Sequence, residues 1–345
     1  MLGISSKRPG VYPNYDNSGI IYGNDSAVGI VAKSYAQTGK VYEISSIEDI
    51  LSEFGNQGIM YDMCRLALIN GTSKIFAVSV GEDDNPDYET AFSLLSNNSY
   101  VKVVVCDSND LSVHTLLKNS VLSSSNNEFE RIGIVSCSNS DTPSEWAGNF
   151  DSERIVLIAQ NSIDDEGNVQ NSSLLSAALA GVICSEINPA APISGKPIRG
   201  IYALSANISE DDINSFINVG ITPIEVYNYS ASIICAVTSK KYDSGDDKVF
   251  SSLNSIIIFD DVISSVRKLL RKQFIGTLNN SKNCVSISTQ VTIELEKKLL
   301  MGIIGAYEPP VVTISSSDDS TCLVDLSFSM SRGLNQIFVP VIIRA

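Results

Sequence analysis

The stretch VKVVVC, residues 101–106, decides the fold class of this chain. It is apolar on both faces, which is typical of a strand that is covered on both sides within a sheet. Similar apolar runs occur at 74–80, 131–136 and 154–159, and helical patterns separate them. Strands that alternate with helices at this spacing predict an α/β fold, mixed α+β in detail, in which a mixed β-sheet is flanked by helices.

Composition favours a soluble protein that is made in a cytoplasm. Of the 345 residues, 43% are hydrophobic and 18% are charged, which is typical of a globular chain with a sizeable core. The first ten residues lack the apolar run of a signal peptide, and no stretch approaches the length that crosses a bilayer. The net charge of −15 argues against a protein that grips nucleic acid through phosphates, because that needs a basic surface.

The residues that usually carry chemistry do not form a recognisable site. The seven cysteines are too far apart in the sequence for a zinc knuckle, and neither a phosphate-binding loop nor a dinucleotide fingerprint occurs. The acidic loops lack the spacing of a calcium loop. The only histidine, His114, lies in a predicted helix, so a catalytic arrangement would have to be built there. We therefore expect no catalytic residue, metal or cofactor, with an α/β enzyme of unknown substrate as the alternative.

Both termini read as extended arms. In QIFVPVIIRA, residues 336–345, both faces of the predicted strand are apolar. This strand either folds back into its own domain or is donated to the sheet edge of a neighbouring copy, and periodicity alone favours the first. At the other end KRPGVYP, residues 7–13, contains two prolines that exclude a helix.

The C-terminal portion contains the clearest helical pattern, FDDVISSVRKLLRKQF at 259–274. Its apolar residues share one arc, and the opposite arc carries four cations: Arg267, Lys268, Arg271 and Lys272. A solvated amphipathic helix with charges matched to its dipole explains the pattern. The alternative is a basic stripe aimed at an acidic partner, since no other cationic cluster occurs in the chain. Beyond it we expect a helix over 290–304 and strands over 311–314 and 322–330.

Several stretches, taken together and in order, resemble the tail sheath proteins of contractile bacteriophage tails and R-type bacteriocin particles. They include RPGVY at 8–12, ALINGTSKIFAVSV at 67–80, NPAAPISGKPIRGI at 188–201, GITPIEVYN at 220–228 and the C-terminal block. The resemblance covers nearly the whole chain. It implies a structural subunit of a contractile sheath that polymerises as stacked hexameric rings around an inner tube and contracts to drive the tube through a target cell envelope.

The resemblance also assigns roles to parts of the chain. It reverses the preference for a terminal strand within its own domain, because sheath subunits donate both arms to neighbours. The implied arm residues are Arg8, Pro9, Gly10, Val11, Tyr12, Ile337, Phe338, Val339, Val341, Ile342 and Ile343. The implied parts are an N-terminal arm (1–20), an N-terminal α/β part (21–95), a middle α/β sheath domain (96–240), a tube-facing inner domain (241–332) and a C-terminal strand arm (333–345).

The same resemblance implies the partners. These are further copies of the chain, the inner tail tube protein, and the baseplate and tail-terminator proteins, with no direct nucleic acid and no membrane insertion. Arg267, Lys268, Arg271 and Lys272 would face the tube. The subunit would be assembled in the bacterial host cytoplasm and would end in the sheath of a virion tail or a bacteriocin particle. A non-contractile shell or tube protein, with a single length state, is a third possibility after the enzyme.

Overall fold

The computed structural model describes residues 26–82, 86–137, 142–206, 208–242, 248–318 and 320–333. Its helices are α1 (Ile47–Phe54), α2 (Ile59–Ile69), α3 (Tyr88–Leu95), α4 (Leu111–Asn126), α5 (Pro143–Ala147), α6 (Ser173–Ser185), α7 (Glu210–Asn218), α8 (Leu253–Phe274) and α9 (Ser281–Leu300). Its strands are β1 (Ala27–Ala32), β2 (Val41–Ile44), β3 (Ile75–Ser79), β4 (Val101–Cys106), β5 (Ile132–Ser136), β6 (Ile155–Ile158), β7 (Pro197–Ile198), β8 (Ile224–Tyr227), β9 (Ser230–Ile233), β10 (Ile304–Tyr307), β11 (Val311–Ile314), β12 (Cys322–Asp325) and β13 (Phe328–Met330).

A six-stranded sheet with the order β2-β3-β1-β4-β5-β6 forms the centre of the molecule. All of its neighbouring strands are parallel except the edge pair β2 and β3, which is antiparallel. The sheet is therefore mixed, as the sequence predicts. Strand β4, the VKVVVC stretch, lies inside it between β1 and β5, and this position explains why both of its faces are apolar.

Helices cover both faces of this sheet. On one face α2 and α6 pack on each other and on the strands, and on the other face α3 and α4 do so. Helices α2 and α6 are in close contact at Gly181, which has no side chain. A Cβ added there would lie 2.5 Å from the carbonyl oxygen of Ala67. Helix α6 is buried nearly all round, which agrees with its lack of charged residues.

The core between the central sheet and helices α2 and α6 is called the main core. A smaller sheet, ordered β7-β9-β8, packs against it. The apolar stretches 223–227 and 232–239 predict a β-hairpin that turns at Asn228 and Tyr229. Strands β8 and β9 form this hairpin. Both turn residues have positive φ angles, 49° and 59°, as the tight turn between two twisted strands requires. The loop 188–200 is longer than most connections and carries three prolines, which makes it a candidate interface segment from sequence. In the structure it contributes β7 and the buried Ile193.

Helix α8 joins two hydrophobic cores. It begins at Leu253, earlier than the predicted 259, and its first turns place Leu253 and Ile256 in the main core. Farther along, Val262 and Val266 belong to a separate C-terminal core that also contains Val291 of α9. Helix α8 thus begins shortly after the predicted boundary at residue 241, and it packs on the main core as well as on the C-terminal core.

Two predictions for the C-terminal portion are wrong in detail. Helix α9 starts at Ser281, not 290, because the Asn280 side chain accepts from the backbone N–H of Asn283 at 2.9 Å and opens the helix. Its first half is rich in Ser, Thr and Val, which are weak helix formers, so packing overrides local preference there. The strand predicted over 322–330 is two strands, since β12 pairs with β11 whereas β13 pairs with β10.

Candidate assembly surface

The four predicted tube-facing cations all lie on α8, but the chain itself engages two of them. Nη1 of Arg267 donates to a carboxylate oxygen of Glu130, and Nη2 of Arg271 donates to Oε2 of Glu128 at 2.5 Å. Lys268 and Lys272 are exposed. The four therefore divide into two arginines that tie α8 to the middle of the chain and two lysines that face solvent.

The carboxylates that meet these arginines sit between α4 and β5. Asn127 caps the C-terminus of α4, and Glu128 follows with a φ of 72°, in the left-handed conformation that commonly ends a helix. Glycine is the usual residue at that position, so the glutamate is held at a backbone cost. Its carboxylate reaches Arg271, while Glu130 is buried beside Arg267. The turn after α4 is thus a docking point for α8.

Farther back along α8, a buried ion pair fixes the helix to the central sheet. Nη1 and Nη2 of Arg154 each donate to a different carboxylate oxygen of Asp260, both at 2.8 Å. Burial opposes the charge on Arg154, but the bonds to Asp260 outweigh it and raise the pKa of the guanidinium. The next residue, Asp261, accepts from Nζ of Lys298 on α9 at 2.6 Å. Asp260 therefore binds α8 to the edge of the central sheet, and Asp261 binds it to α9.

A crevice of about 290 Å³ opens between α8 and the start of β4. Its charged lining residues include Lys102, Glu130, Asp260 and Lys268. Burial lowers the pKa of Lys102, while the nearby carboxylates oppose that shift. Glu186 and Asp261 also line the crevice, so it carries four acids and two bases.

The C-terminal portion ends in two small antiparallel sheets, β10 with β13 and β11 with β12. Each has only two strands among the described residues, and pairs of this size are marginal by themselves. Helix α9 packs on β10 and β11. The outer side of this region exposes Val285, Val311, Ile314 and Leu323, and a groove runs between α9 and β11. Apolar exposure on short open-edged sheets is typical of a surface that is covered on assembly.

The predicted arm residues lie outside the described part of the chain. Residues 8–12 precede its first residue, Ser26, and residues 337–343 follow its last, Gly333. Their assignment as inter-subunit strands stays a prediction. The last described residues, 331–333, directly follow β13 and therefore lie next to the small sheets.

His114, on which the alternative enzyme hypothesis depends, is a core residue. Its side chain is fully buried, and Nε2 lies 2.7 Å from the carbonyl oxygen of Ser108. The rings of Trp146 and Phe150 pack around it, with centroids 6.0 and 6.3 Å from that of the imidazole. A histidine in this setting fixes α4 against α5 and has no route to a substrate.

Two other kinds of site are absent from the part of the chain that the structure describes. No group of three or more His, Cys, Asp or Glu side chains there is arranged to hold a metal ion. No helix in the described ranges has the length and apolar character needed to cross a bilayer.

Sequence comparison identifies the middle of the chain. Residues 81–239 match the model of the phage tail sheath protein central domain. This segment runs from the end of β3 to just beyond the small three-stranded sheet, so it holds α3 to α7 and half of the central sheet. No curated protein matches the sequence.

Solved structures match the fold over almost the full length. A chain in the baseplate of the anti-feeding prophage has a TM-score of 0.76 at 15% identity, with 99% of this chain and 100% of that one covered. The contracted helical sheath of the same system gives 0.75 at 16%, covering 98% and 99%. A sheath tail protein from Listeria innocua gives 0.74 at 11%, covering 90% and 93%.

The fold is shared with solved sheath structures over nearly the full chain, and the middle of the chain matches a sheath domain. More particularly, the chain contains the central domain of the phage tail sheath proteins, at residues 81–239. The predicted resemblance is therefore confirmed, as is the predicted mixed α/β fold. A structural sheath subunit is also the better supported of the alternatives over an α/β enzyme.

The contacts that hold α8 in place are what the sequence reasoning missed. Glu128 and Glu130 precede a predicted strand and carry no motif, and Asp260 was explained by the helix dipole alone. A sequence signal did exist in Arg154, a charged residue at the start of an apolar strand, since such a residue needs a partner when the strand is buried.

Proposed function

We propose that this chain is the repeating subunit of a contractile tail sheath, stacked as six-membered rings around an inner tube that contraction drives through a target cell envelope. The observation that carries the proposal is the match of residues 81–239 to the sheath central domain. Contraction is a transition between two arrangements of rigid subunits, and it needs no nucleotide.

Strand exchange through the arms is the link between subunits in this proposal. The small sheets β10–β13 and β11–β12 offer edges to which a neighbour's arm can add, and exposed apolar residues such as Val311 and Leu323 surround them. Residues 337–343 have the matching character, because their two faces are both apolar. A contact of this head-to-tail kind propagates as a helix instead of closing.

The tube contact is assigned to the cationic arc of α8. Lys268 and Lys272 present their charge to solvent, and Arg271, whose side chain is 64% exposed, can meet an acidic surface while it holds Glu128. Arg267 completes the arc, and its guanidinium donates to the buried carboxylate of Glu130 in the same chain. Exposed pairs of this kind are individually weak and sensitive to salt, which suits a surface that must release its partner.

The remaining roles follow from the same assignment. The partners are further copies of the chain, the tube, and the baseplate and terminator proteins, and the subunit has no catalytic activity of its own. The domain boundaries 1–20, 21–95, 96–240, 241–332 and 333–345 are kept as a working division. The sheath is assembled in the bacterial cytoplasm and belongs to a phage tail or a bacteriocin-like particle.

The proposal is tested by expressing the chain alone, concentrating it and imaging it by negative-stain electron microscopy. The full-length chain is expected to form hollow ribbed cylinders, and a deletion of residues 336–345 is expected to leave subunits that fold but do not polymerise. The matched control is Arg344→Ala, which keeps every apolar residue of the terminal strand and is expected to assemble normally.

Each alternative predicts a different image. Cylinders of normal length from the deletion variant would exclude the donated terminal strand while leaving the sheath assignment in place. Compact monomers from every form, at all concentrations, would contradict self-assembly and return attention to the enzyme hypothesis.

A further inference from the structure

Two cysteines that are far apart in the sequence meet in the C-terminal portion. Cys284 lies in the first turn of α9 and is buried, and Cys322 is the first residue of β12 and is partly exposed. The Cys284 thiol interacts directly with the Cys322 thiol. Cys64, Cys106, Cys137 and Cys184 are buried in the two cores on either face of the central sheet, whereas Cys322 packs against the C-terminal core.

Backbone geometry brings these two thiols together independently. Cys322 is paired across the β11–β12 ladder with Ile314, and Ile314 and Cys284 line the same groove between α9 and β11. One residue before Cys322, the carbonyl oxygen of Thr321 accepts from the side chain of Asn279 at 3.2 Å. This bond ties the segment just before α9 to the start of β12, beside the cysteine pair.

We propose that Cys284 and Cys322 form a redox-sensitive modification site, at which a small-molecule disulfide converts the two thiols into an intramolecular disulfide joining α9 to β12. The thiolate of the partly exposed Cys322 attacks one sulfur of the reagent and displaces the other as a thiolate. The thiolate of Cys284 then attacks Cys322 in the mixed disulfide and releases the second small thiol. The two cysteines are oxidised by two electrons, and one reagent disulfide is reduced to two thiols.

The site has a defined consequence for the structure. Sheet β11–β12 has two strands and is held to the rest by packing on α9, so it is a region expected to open locally. A covalent bond across that contact limits the opening and restricts the unfolded chain. The reduced form suits a bacterial cytoplasm, and the disulfide suits an oxidising exterior.

Reactivity is expected to be slow at neutral pH and faster in mild alkali. Burial raises the pKa of the Cys322 thiol, and its neighbour Cys284 raises it further, so the attacking thiolate is scarce at pH 7. The central cysteines are less reactive still, because burial raises the pKa of the Cys184 thiol to about 12. Selectivity for the pair therefore comes from the access that Cys322 has to solvent.

The test is oxidation of the full-length protein with oxidised glutathione at pH 8.5, followed by alkylation, proteolysis and mass spectrometry. The expected result is one linked peptide pair that joins Cys284 to Cys322, with the free thiols falling from seven to five, the loss of these two. The midpoint of thermal unfolding is expected to rise by a few degrees and to return after reduction.

Variants separate this site from general oxidation. Cys322→Ser is expected to abolish the linked peptide and the thermal shift, whereas Cys235→Ser, at the other partly exposed cysteine, is expected to retain both. The linked-peptide measurement on the unmodified chain needs no variant, so a substitution that fails to fold does not prevent the test. Seven free thiols after conditions that fully oxidise a dithiol peptide, or a link through Cys235 instead, would overturn the proposal.

Discussion

Arg154 and Asp260 form a bidentate ion pair, with both nitrogen-to-oxygen distances at 2.8 Å. Arg154 directly precedes β6, the edge strand of the central sheet, and Asp260 lies on α8. Only 10% and 16% of the two side chains are exposed. Removing one member of such a pair leaves a buried charge without compensation, which costs more than the pair itself contributes.

We therefore expect Asp260→Asn to lower the free energy of unfolding by about 3 kcal/mol, as measured by urea denaturation. Replacing both residues together, with Arg154→Met and Asp260→Leu, is expected to recover most of the loss. Lys297→Ala is the control, since its ion pair with Glu294 is exposed on the lysine side and is expected to contribute less than about 1 kcal/mol. Equal losses in the single and double variants would contradict this account.

Arg131 is expected to be as sensitive, for a different reason. Its guanidinium is buried, forms no ion pair among the described residues, and donates to the carbonyl oxygens of Leu95, Ser96 and Asn98 at 2.9 to 3.0 Å, which closes the end of α3. Burial lowers the pKa of this guanidinium to about 10. Arg131→Lys cannot span the three acceptors and is expected to cost on the order of 3 kcal/mol, measured by thermal or urea unfolding.

The matched control for Arg131 is Arg65→Lys on α2. That side chain is partly exposed and its ion pair with Asp62 spans 4.0 Å, so a change within about 0.5 kcal/mol is expected. A comparable loss in both variants would show that the three carbonyl contacts do not explain the effect.

Gly181 is expected to tolerate no side chain. The Cβ of an alanine there would lie 2.5 Å from the backbone oxygen of Ala67 and 3.0 Å from its Cα, so α2 and α6 would have to separate. We expect Gly181→Ala to destabilise the protein by roughly 1–3 kcal/mol. Gly305→Ala, where the nearest atom is a serine hydroxyl oxygen at 3.3 Å, is expected to be close to neutral. Urea denaturation of the two variants side by side tests the difference.

The cationic arc of α8 can be tested without disturbing the fold. Lys268→Glu together with Lys272→Glu reverses the exposed charges and leaves Arg267 and Arg271 on their carboxylates. This double variant is expected to fold normally but to lose assembly around purified tubes, as seen by electron microscopy and by co-sedimentation at low salt. Lys40→Glu, an exposed change just before β2, is the control. Normal extended sheaths from the double variant would exclude α8 as the tube contact.

Two helix caps give the protein a pH dependence on the acid side. Hydrogen bonds from Ser45 and Ser46 lower the pKa of Asp49, and bonds from Ser209 lower that of Asp212, from the usual 3.8. Because the folded values are lowered, this stabilisation is present above about pH 4 and is lost as the pH falls through the folded pKa. Asp49→Asn with Asp212→Asn is therefore expected to lower the thermal midpoint at pH 7, and its difference from the parent chain is expected to shrink as the pH falls through the lowered pKa values. A difference that stays constant with pH would contradict this assignment.

The sequence predicted what depends on local patterns and missed what depends on distant partners. The apolar run at 101–106 becomes β4 without a shift in its bounds, and the hairpin turns at the predicted Asn228 and Tyr229. Strand β2 was missed because VYEI is short, lies at the sheet edge and alternates only weakly. The division of 322–330 into two strands depends on which neighbours lie beside them, and a periodicity of two carries no such information.

The candidate surface shows the same limit. The cations of α8 were found from their helical spacing, but spacing could not show that Glu128 and Glu130, more than a hundred residues away, would engage two of them. The same is true of the cysteine pair, where the sequence indicates reduced thiols and only the packing of α9 on β11 and β12 brings Cys284 to Cys322.

Because α8 begins in one core and continues into the other, the two cores are joined by a continuous run of helical hydrogen bonds instead of a flexible linker. A tension applied at the small terminal sheets is therefore carried along the helix axis into the central sheet, and the Arg154–Asp260 pair resists sliding of the helix across that sheet. We expect α8 and the two cores to move as one rigid unit under tension. The two-stranded sheet β11–β12, which is only weakly held, is expected to unfold first.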